Sequence, residues 1–359
     1  MDRVKMGYVG CGFMAQKVHI PNLISLPECE FVAVAELREK LAKKVQERHR
    51  IPRIYRDHRE LASDPEIEAV GVSGHFAVQG EIAIDLLRAG KHVFMEKPMA
   101  VSVSQAERIL DAVRESGCRL MVGYMKRYDA GNELVKDKLD QFLKTGELGR
   151  ITYVRNHGFC GDWIAGLDTP LEQTDEPYPA PEPLARKPDW LPDRFYRGYI
   201  GYLQQYTHNV NLLHWFLDAD DKVRVECVHL DDNGMNGVVI LDVNGTRAII
   251  ESGSVAYHGW DEHTQIYFQK GWIKTCAPPL LLKNVPATVE IYRSEPSRQL
   301  QNLIPASGWN WAYKREAEHF LRCVSEDAQF RSPAEDTIND VRVFEDIYRM
   351  FGEKQEGIT

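Results

Sequence analysis

Residues 4–15 read VKMGYVGCGFMA, and the first half of the fold follows from them. A short apolar run, VKMGYV, has the composition of a buried strand and passes directly into Gly10-x-Gly12-x-x-Ala15. Gly10 permits a tight turn, Gly12 lets the backbone approach a pyrophosphate, and the small Ala15 allows the next helix to pack closely. The amides of Phe13 and Met14 open that helix and face the anion. A glycine pattern alone is weak evidence. Here the next apolar run, EFVAVAEL, carries Glu36 near its end, roughly 20 residues past the glycines, where a carboxylate accepts hydrogen bonds from an adenosine ribose.

Outward from this turn, apolar runs (EAVGVS, HVFM, RLMVG) alternate with amphipathic helical patterns such as EIAIDLLRAG and SQAERILDAVRESG. Fully apolar strands joined by crossover helices imply a parallel sheet covered on both faces. The expectation over residues 1–124 is therefore a doubly wound α/β Rossmann domain. Beyond Gly123 the pattern changes to a helix near 132–144, then to RITYVRNHGF, KVRVECVHL, GVVILDV and TRAIIESGSV, with the Asn-Gly bend of VNGT between the last two. Residues 125–359 accordingly read as an α+β domain with a large, open, mainly antiparallel sheet. The helices of about 309–350 are expected to pack back on the first domain. The proline-rich run DTPLEQTDEPYPAPEPLARKPDWLP, residues 168–192, reads equally as a surface excursion or as a flap over bound substrate.

Composition excludes several classes. With 43% hydrophobic and 27% charged residues the chain is an ordinary globular one, and a net charge of −9 supplies no attraction for nucleic acid or an anionic membrane. Seven cysteines stand singly, without zinc or redox spacing, which fits a reducing cytoplasm. There is no apolar run of about 20 residues. The acidic turn DDNGMN lacks the ligand spacing of a calcium loop, so no metal site is expected. Lys43, Lys44, Arg48, His49, Arg50 and Arg53 read as a solvated helix face and its exit loop.

Two further stretches carry chemistry. HVFMEKPM, residues 92–99, stops an apolar strand at Glu96, Lys97 and Pro98, setting a lysine at the carboxyl edge of a parallel sheet, where ligands bind in open α/β folds. VSGHFAVQ leaves Ser73, Gly74 and His75 at the same edge. Glu36 repels a 2′-phosphate and so favours NAD, while Arg38 keeps NADP admissible.

Together GYVGCGFMA, AVAEL, GKHVFMEKPMA and RLMVGYMKRY, with GELGRITYV and QYTHNVNLLHWFL further on, resemble the Gfo/Idh/MocA oxidoreductases over nearly the whole length. The resemblance implies a tightly held NAD(P), a sugar, glycoside or cyclitol substrate, and assembly as a dimer or tetramer through the open sheet. It implies that Lys97 lies beside the nicotinamide and the reacting carbinol, with Glu96 and Pro98 as its setting. Where the family commonly has Thr-Pro and a later His, this chain has Gly74, His75 and Gln79. It also implies a helix carrying Asp and His four residues apart; here His208 stands at the second position and Gln204 at the first. A glutamine hydrogen-bonds a hydroxyl but takes no proton. The general base is then His208, a residue type that titrates near neutrality.

Asn209 is a candidate hydrogen-bonding partner for a polyol, Asp162 and Trp163 offer an acceptor beside an aromatic plane, and Tyr124, Lys126 and Arg127 are candidates to line the substrate site. Two other functions compete with dehydrogenation. One is glycoside cleavage through transient oxidation without net redox, and the other is a nucleotide-binding regulator without catalysis.

Overall fold

Six strands of the computed structural model form one parallel sheet: β1 (Val4–Val9), β2 (Cys29–Ala35), β3 (Arg53–Tyr55), β4 (Ala69–Val72), β5 (His92–Glu96) and β6 (Leu120–Gly123), in the order β3-β2-β1-β4-β5-β6. The structure describes residues 3–162, 164, 170–179, 187–219, 221–256, 259–295, 298–305 and 311–357. Residues of β1, β4, β5 and β6 are almost all buried, as a sheet covered on both faces requires. β3 is only three residues long and half-buried at an edge, too short for its hydrophobicity to mark it in the sequence.

The crossover helices include α1 (Ile20–Ile24), α2 (Glu39–His49), α3 (His58–Ala62), α4 (Phe76–Arg88) and α5 (Val103–Ser116). α5 begins at Ser102, whose side chain accepts from the Gln105 amide, and stops at Gly117 in the left-handed conformation. The compact unit built on this sheet comprises Met1–Tyr124, Asp168–Pro188 and Tyr313–Val341.

The stretch Asp168–Pro188 reads by sequence as part of the second domain, and charge explains why its described residues belong to the first unit instead. Lys40 pairs with Asp175 at 2.9 Å, Arg48 with Glu172 at 3.0 Å, and the Lys44 ammonium donates to the Gln173 carbonyl at 2.7 Å. The basic face of α2 is thus not merely solvated: an acidic strap lies along it.

The second unit comprises Met125–Leu167, Asp189–Ala312 and Arg342–Thr359. Its helices are α6 (Ala130–Thr145), α7 (Tyr196–Leu217) and the C-terminal part of α9 (Ala334–Gln355), α8 (Ala312–Glu326) lying between α7 and α9 in sequence. Its strands are β7 (Ile151–Cys160), β8 (Val223–Leu230), β9 (Gly237–Val243), β10 (Thr246–Ser254), β11 (Trp260–Phe268), β12 (Gly271–Cys276), β13 (Thr288–Arg293) and β14 (Gln299–Leu303), in the order β14-β13-β12-β11-β7-β10-β9-β8. All neighbours are antiparallel except β7 and β10, so the sheet is mixed.

Asn244 and Gly245 both take positive φ, 51° and 79°, in the β9–β10 bend, the signature of an Asn-Gly hairpin. Alternation along β7 and β11 buries Val154, Asn156, Thr264 and Ile266 on one face. The other face carries Tyr153, Tyr267, Trp272 and Tyr292, with the Trp272 and Tyr292 rings stacked at 4.2 Å. Among the described residues no helix is long and apolar enough to cross a membrane.

α8 packs into the core of the first unit, where Phe320 stacks on Phe94 and on Phe330, each at 5.4 Å. On the same helix Glu316 is fully buried, and neither carboxyl oxygen has a hydrogen-bond partner among the described residues. Burial, with the negative charge of Glu96 adding to it, raises its pKa well above the carboxylate range. The folded chain therefore keeps a proton that the unfolded chain releases near pH 4.5. Stability falls as pH rises above that value, because the folded state binds more protons. Glu316→Gln is expected to raise the free energy of unfolding in urea at pH 7, the gain over wild type shrinking toward pH 4. A gain independent of pH, or a loss at pH 7, contradicts the assignment.

Candidate functional site

The glycine turn after β1 is held closely from behind and open in front. Gly10 has φ +96°, its amide donates to the Ala35 carbonyl at 2.8 Å, and a Cβ there would lie 2.6 Å from the Ser73 carbonyl oxygen. A Cβ on Gly12 would meet no heavy atom within 4 Å, so the chain leaves room in front of this residue. The helix starts at Phe13, passes through a π-helical turn at Ala15–His19 and continues as α1. A glycine turn with free space before it and a helix start behind it fits a pyrophosphate.

At the end of β2, Glu36 is 6% exposed and fully engaged. Its Oε2 accepts from the Cys11 amide at 2.8 Å, and its Oε1 from the Arg38 amide at 3.2 Å. The Arg38 guanidinium grips both oxygens, Nε to Oε1 at 2.8 Å and Nη2 to Oε2 at 3.1 Å. A carboxylate fixed this way suits a ribose, and the arginine that would meet a 2′-phosphate is turned onto it.

The end of β5 is pinned from three directions. Glu96 pairs through Oε1 with His19 Nε2 at 2.7 Å and through Oε2 with the Lys97 amide at 3.1 Å. Gln79 Nε2 donates to the carbonyls of Glu96, at 2.5 Å, and Pro98, at 3.2 Å, while its Oε1 accepts from the Gly74 amide at 3.2 Å. The Lys97–Pro98 peptide is cis. Lys97 itself is half-buried; desolvation lowers its pKa, and the charge of Glu96 opposes part of that shift.

Three residues that the sequence offers for the cofactor hydrogen-bond to backbone. Glu96 and Gln79 fix the lysine turn. His75 caps α4, its Nδ1 accepting from the Ala77 amide at 3.2 Å, while the residue stays exposed.

In the second unit, α7 carries His208, which is 6% exposed, one turn after the exposed Gln204; this spacing sets the two on one helix face. Asn209 is committed elsewhere: it is 3% exposed and pairs with the Asn156 side chain of β7, which in turn donates to Thr264 at 3.0 Å. A Cβ on Gly158 would lie 3.1 Å from the Asn209 side-chain nitrogen, so a larger residue there would press on this pair. Arg127 is 2% exposed and donates to Asn211 Oδ1 at 2.7 Å, and Lys126 is buried against Glu262.

Buried polar groups must find partners, and Asn209, Arg127 and Lys126 have each found one within the second unit. Tyr124 is 1% exposed and packs in the core of the first unit. Asp162 is exposed and accepts from the Ile164 amide at 3.1 Å. Trp163 lies outside the described residues.

His157, Asp261 and His263 cluster on the open sheet face with donor atoms within 4.8 Å of one another. Their atoms pair with each other, and His157 Nδ1 is also held by Glu251 at 2.5 Å. Sequence reasoning passed over this group, and also His19, Gln16 and Tyr178. His19 follows Ala15 at i+4 on the helix after the glycines, a spacing that marks a buried face but gives no partner. Gln16 and Tyr178 meet residues more than a hundred positions away in the chain, beyond any local pattern.

Residues 4–124 match a family model described as "Oxidoreductase family, NAD-binding Rossmann fold". The myo-inositol 2-dehydrogenase of Thermotoga maritima is 24% identical over 75% of this chain and 74% of its own. The inositol 2-dehydrogenase/D-chiro-inositol 3-dehydrogenase of Lacticaseibacillus casei is 35% identical over 48% of this chain and 51% of its own. Among solved structures, the aldose-aldose oxidoreductase of Caulobacter crescentus, complexed with glycerol, superimposes with a TM-score of 0.74 at 19% identity, over 98% of both chains. The 3-ketoreductase KijD10 of Actinomadura kijaniata, solved with TDP-benzene and NADP, gives 0.71 at 20% identity, over 97% of this chain and 98% of that one. The glycine turn, Glu36 and the Glu-Lys-Pro strand end all lie within residues 4–124, the part of the chain that matches the NAD-binding Rossmann fold of this oxidoreductase family.

Proposed function

We propose that the protein transfers hydride between NAD and a secondary hydroxyl, or the corresponding ketone, of a sugar, glycoside or cyclitol. The observation that carries this reading is a lysine of lowered pKa, held at the carboxyl edge of the sheet that also carries the nucleotide turn. The inositol dehydrogenases among the relatives support a cyclitol or sugar as the substrate class.

The dinucleotide, when bound, supplies the two-electron acceptor or donor. The chain's own residues manage the oxygen and its proton. Lys97, protonated, donates to the carbinol oxygen and stabilises the negative charge that develops there as hydride leaves carbon. Glu96, fixed by His19 and the Lys97 amide, favours the charged lysine, while burial disfavours it. The balance leaves a donor that gives up its proton more readily than an ordinary lysine. His208 is assigned the proton released in oxidation, and Gln204 a hydrogen bond to a neighbouring hydroxyl. Product analysis beside NADH absorbance separates this reading from glycoside cleavage without net redox, which yields a broken bond and no NADH.

Lys97→Met is expected to lower kcat for polyol oxidation by about 10²–10⁴-fold while leaving the NAD dissociation constant within about threefold of wild type. Comparable turnover by the variant would remove Lys97 from the chemistry. The pH profile tests the protonation state. The rate of wild type falls on the alkaline side as Lys97 loses its proton, with a midpoint below the ordinary lysine value of 10.5. In Lys97→Arg that fall moves beyond the measurable range, because a guanidinium keeps its proton. An alkaline limb unchanged in Lys97→Arg would assign it to another group.

A further inference from the structure

We propose that residues 172–178 are a wall of the dinucleotide site, with Tyr178 as the face on which adenine stacks and the Arg38–Glu36 pair beneath it as the edge that selects NAD over NADP. The inference rests on the NAD reading above and adds a binding element from outside the Rossmann sequence.

The strap is attached where the nucleotide binds. Gln16 joins it to the glycine turn: Nε2 donates to the Cys11 carbonyl at 2.7 Å and to the Glu172 carbonyl at 3.1 Å, and Oε1 accepts from the Glu172 amide at 2.8 Å. Glu176 then supplies the cap that α2 lacks. Arg38 at the N-cap makes no side-chain capping bond, and the Glu176 carboxylate accepts from the Lys40 and Leu41 amides at 3.1 and 3.2 Å. With the ion pairs of Asp175 and Glu172 along α2, the strap is fixed at its start, middle and end.

The strap ends by placing the Tyr178 ring 5.0 Å over the Arg38 guanidinium. Tyr178 is nevertheless 50% exposed, and Leu37, between Glu36 and Arg38, is 53% exposed. A clip with only a structural task would bury its aromatic. This one leaves apolar surface beside the carboxylate that fits a ribose, and an adenine attached to that ribose needs such a surface. Arg38 lies between Tyr178 and Glu36, held by two hydrogen bonds below and a cation–π contact above. To reach a 2′-phosphate it would have to give up all three contacts, and Glu36 would then face that phosphate unshielded.

The test measures dissociation constants for NAD⁺ and NADP⁺ by calorimetry on the full-length protein, for wild type, Tyr178→Ala and Tyr178→Phe. Thermal melts verify that each variant is folded. Wild type is expected to prefer NAD⁺. Tyr178→Ala should bind NAD⁺ about tenfold more weakly, and its preference should narrow as Arg38 is freed. Tyr178→Phe should match wild type, because it keeps the ring. If Tyr178→Ala does not fold, Tyr178→Leu carries the same test. Wild-type affinity for both dinucleotides in the alanine or leucine variant overturns the proposal, as does a wild type that prefers NADP⁺. A wild type that binds neither dinucleotide instead overturns the NAD reading on which it rests.

Discussion

The first unit is organised around one buried carboxylate, that of Glu96. One of its oxygens holds His19, on the helix after the glycine turn, and the other holds the amide of the lysine that follows it. Through its backbone carbonyl it also takes the Gln79 side chain, which reaches on to Gly74 beyond β4. The carboxyl ends of β1, β4 and β5 are thereby tied together where the strand order reverses between β1 and β4, the crevice in which open α/β sheets bind their ligands. Close packing enforces the same geometry at Gly10, since any side chain there would strike Ser73 on the neighbouring strand end.

The second unit solves a different problem. A 22-residue helix with buried Asn209, Asn211, His208 and His214 would be costly to bury without partners. Asn209 and Asn156 exchange hydrogen bonds, Thr264 extends the chain across β11, and Arg127 closes on Asn211. These polar rungs fix the rotation of α7 against the sheet more sharply than Leu and Phe contacts alone, because each is satisfied in one register only. The helix thus presents Gln204 and His208 from a rigid base.

What could be read from sequence was local. The glycines, Glu36 and the Glu-Lys-Pro strand end lie within or next to elements whose periodicity is plain, so the parallel sheet and its nucleotide turn follow directly. The substrate candidates are harder to read, because a polar residue on an apolar helix has the same signature whether it meets a ligand or a buried partner. Asn209 and Arg127 have buried partners, and only the contacts to Asn156 and Asn211 reveal them. The strap was illegible for another reason. Its acidic residues and the basic face of α2 are each unremarkable alone, and their pairing spans more than 120 positions.

The setting of Glu96 includes a group that no local pattern ties to it. Glu316 comes from α8, near the C-terminus, and is buried close enough to Glu96 for the two charges to be felt. Two ionised carboxylates in one dry pocket repel, so one must carry a proton, and burial without hydrogen bonds assigns it to Glu316. The neutral acid then sits beside Glu96 much as an apolar residue would, while its carboxyl group keeps the capacity to take up charge.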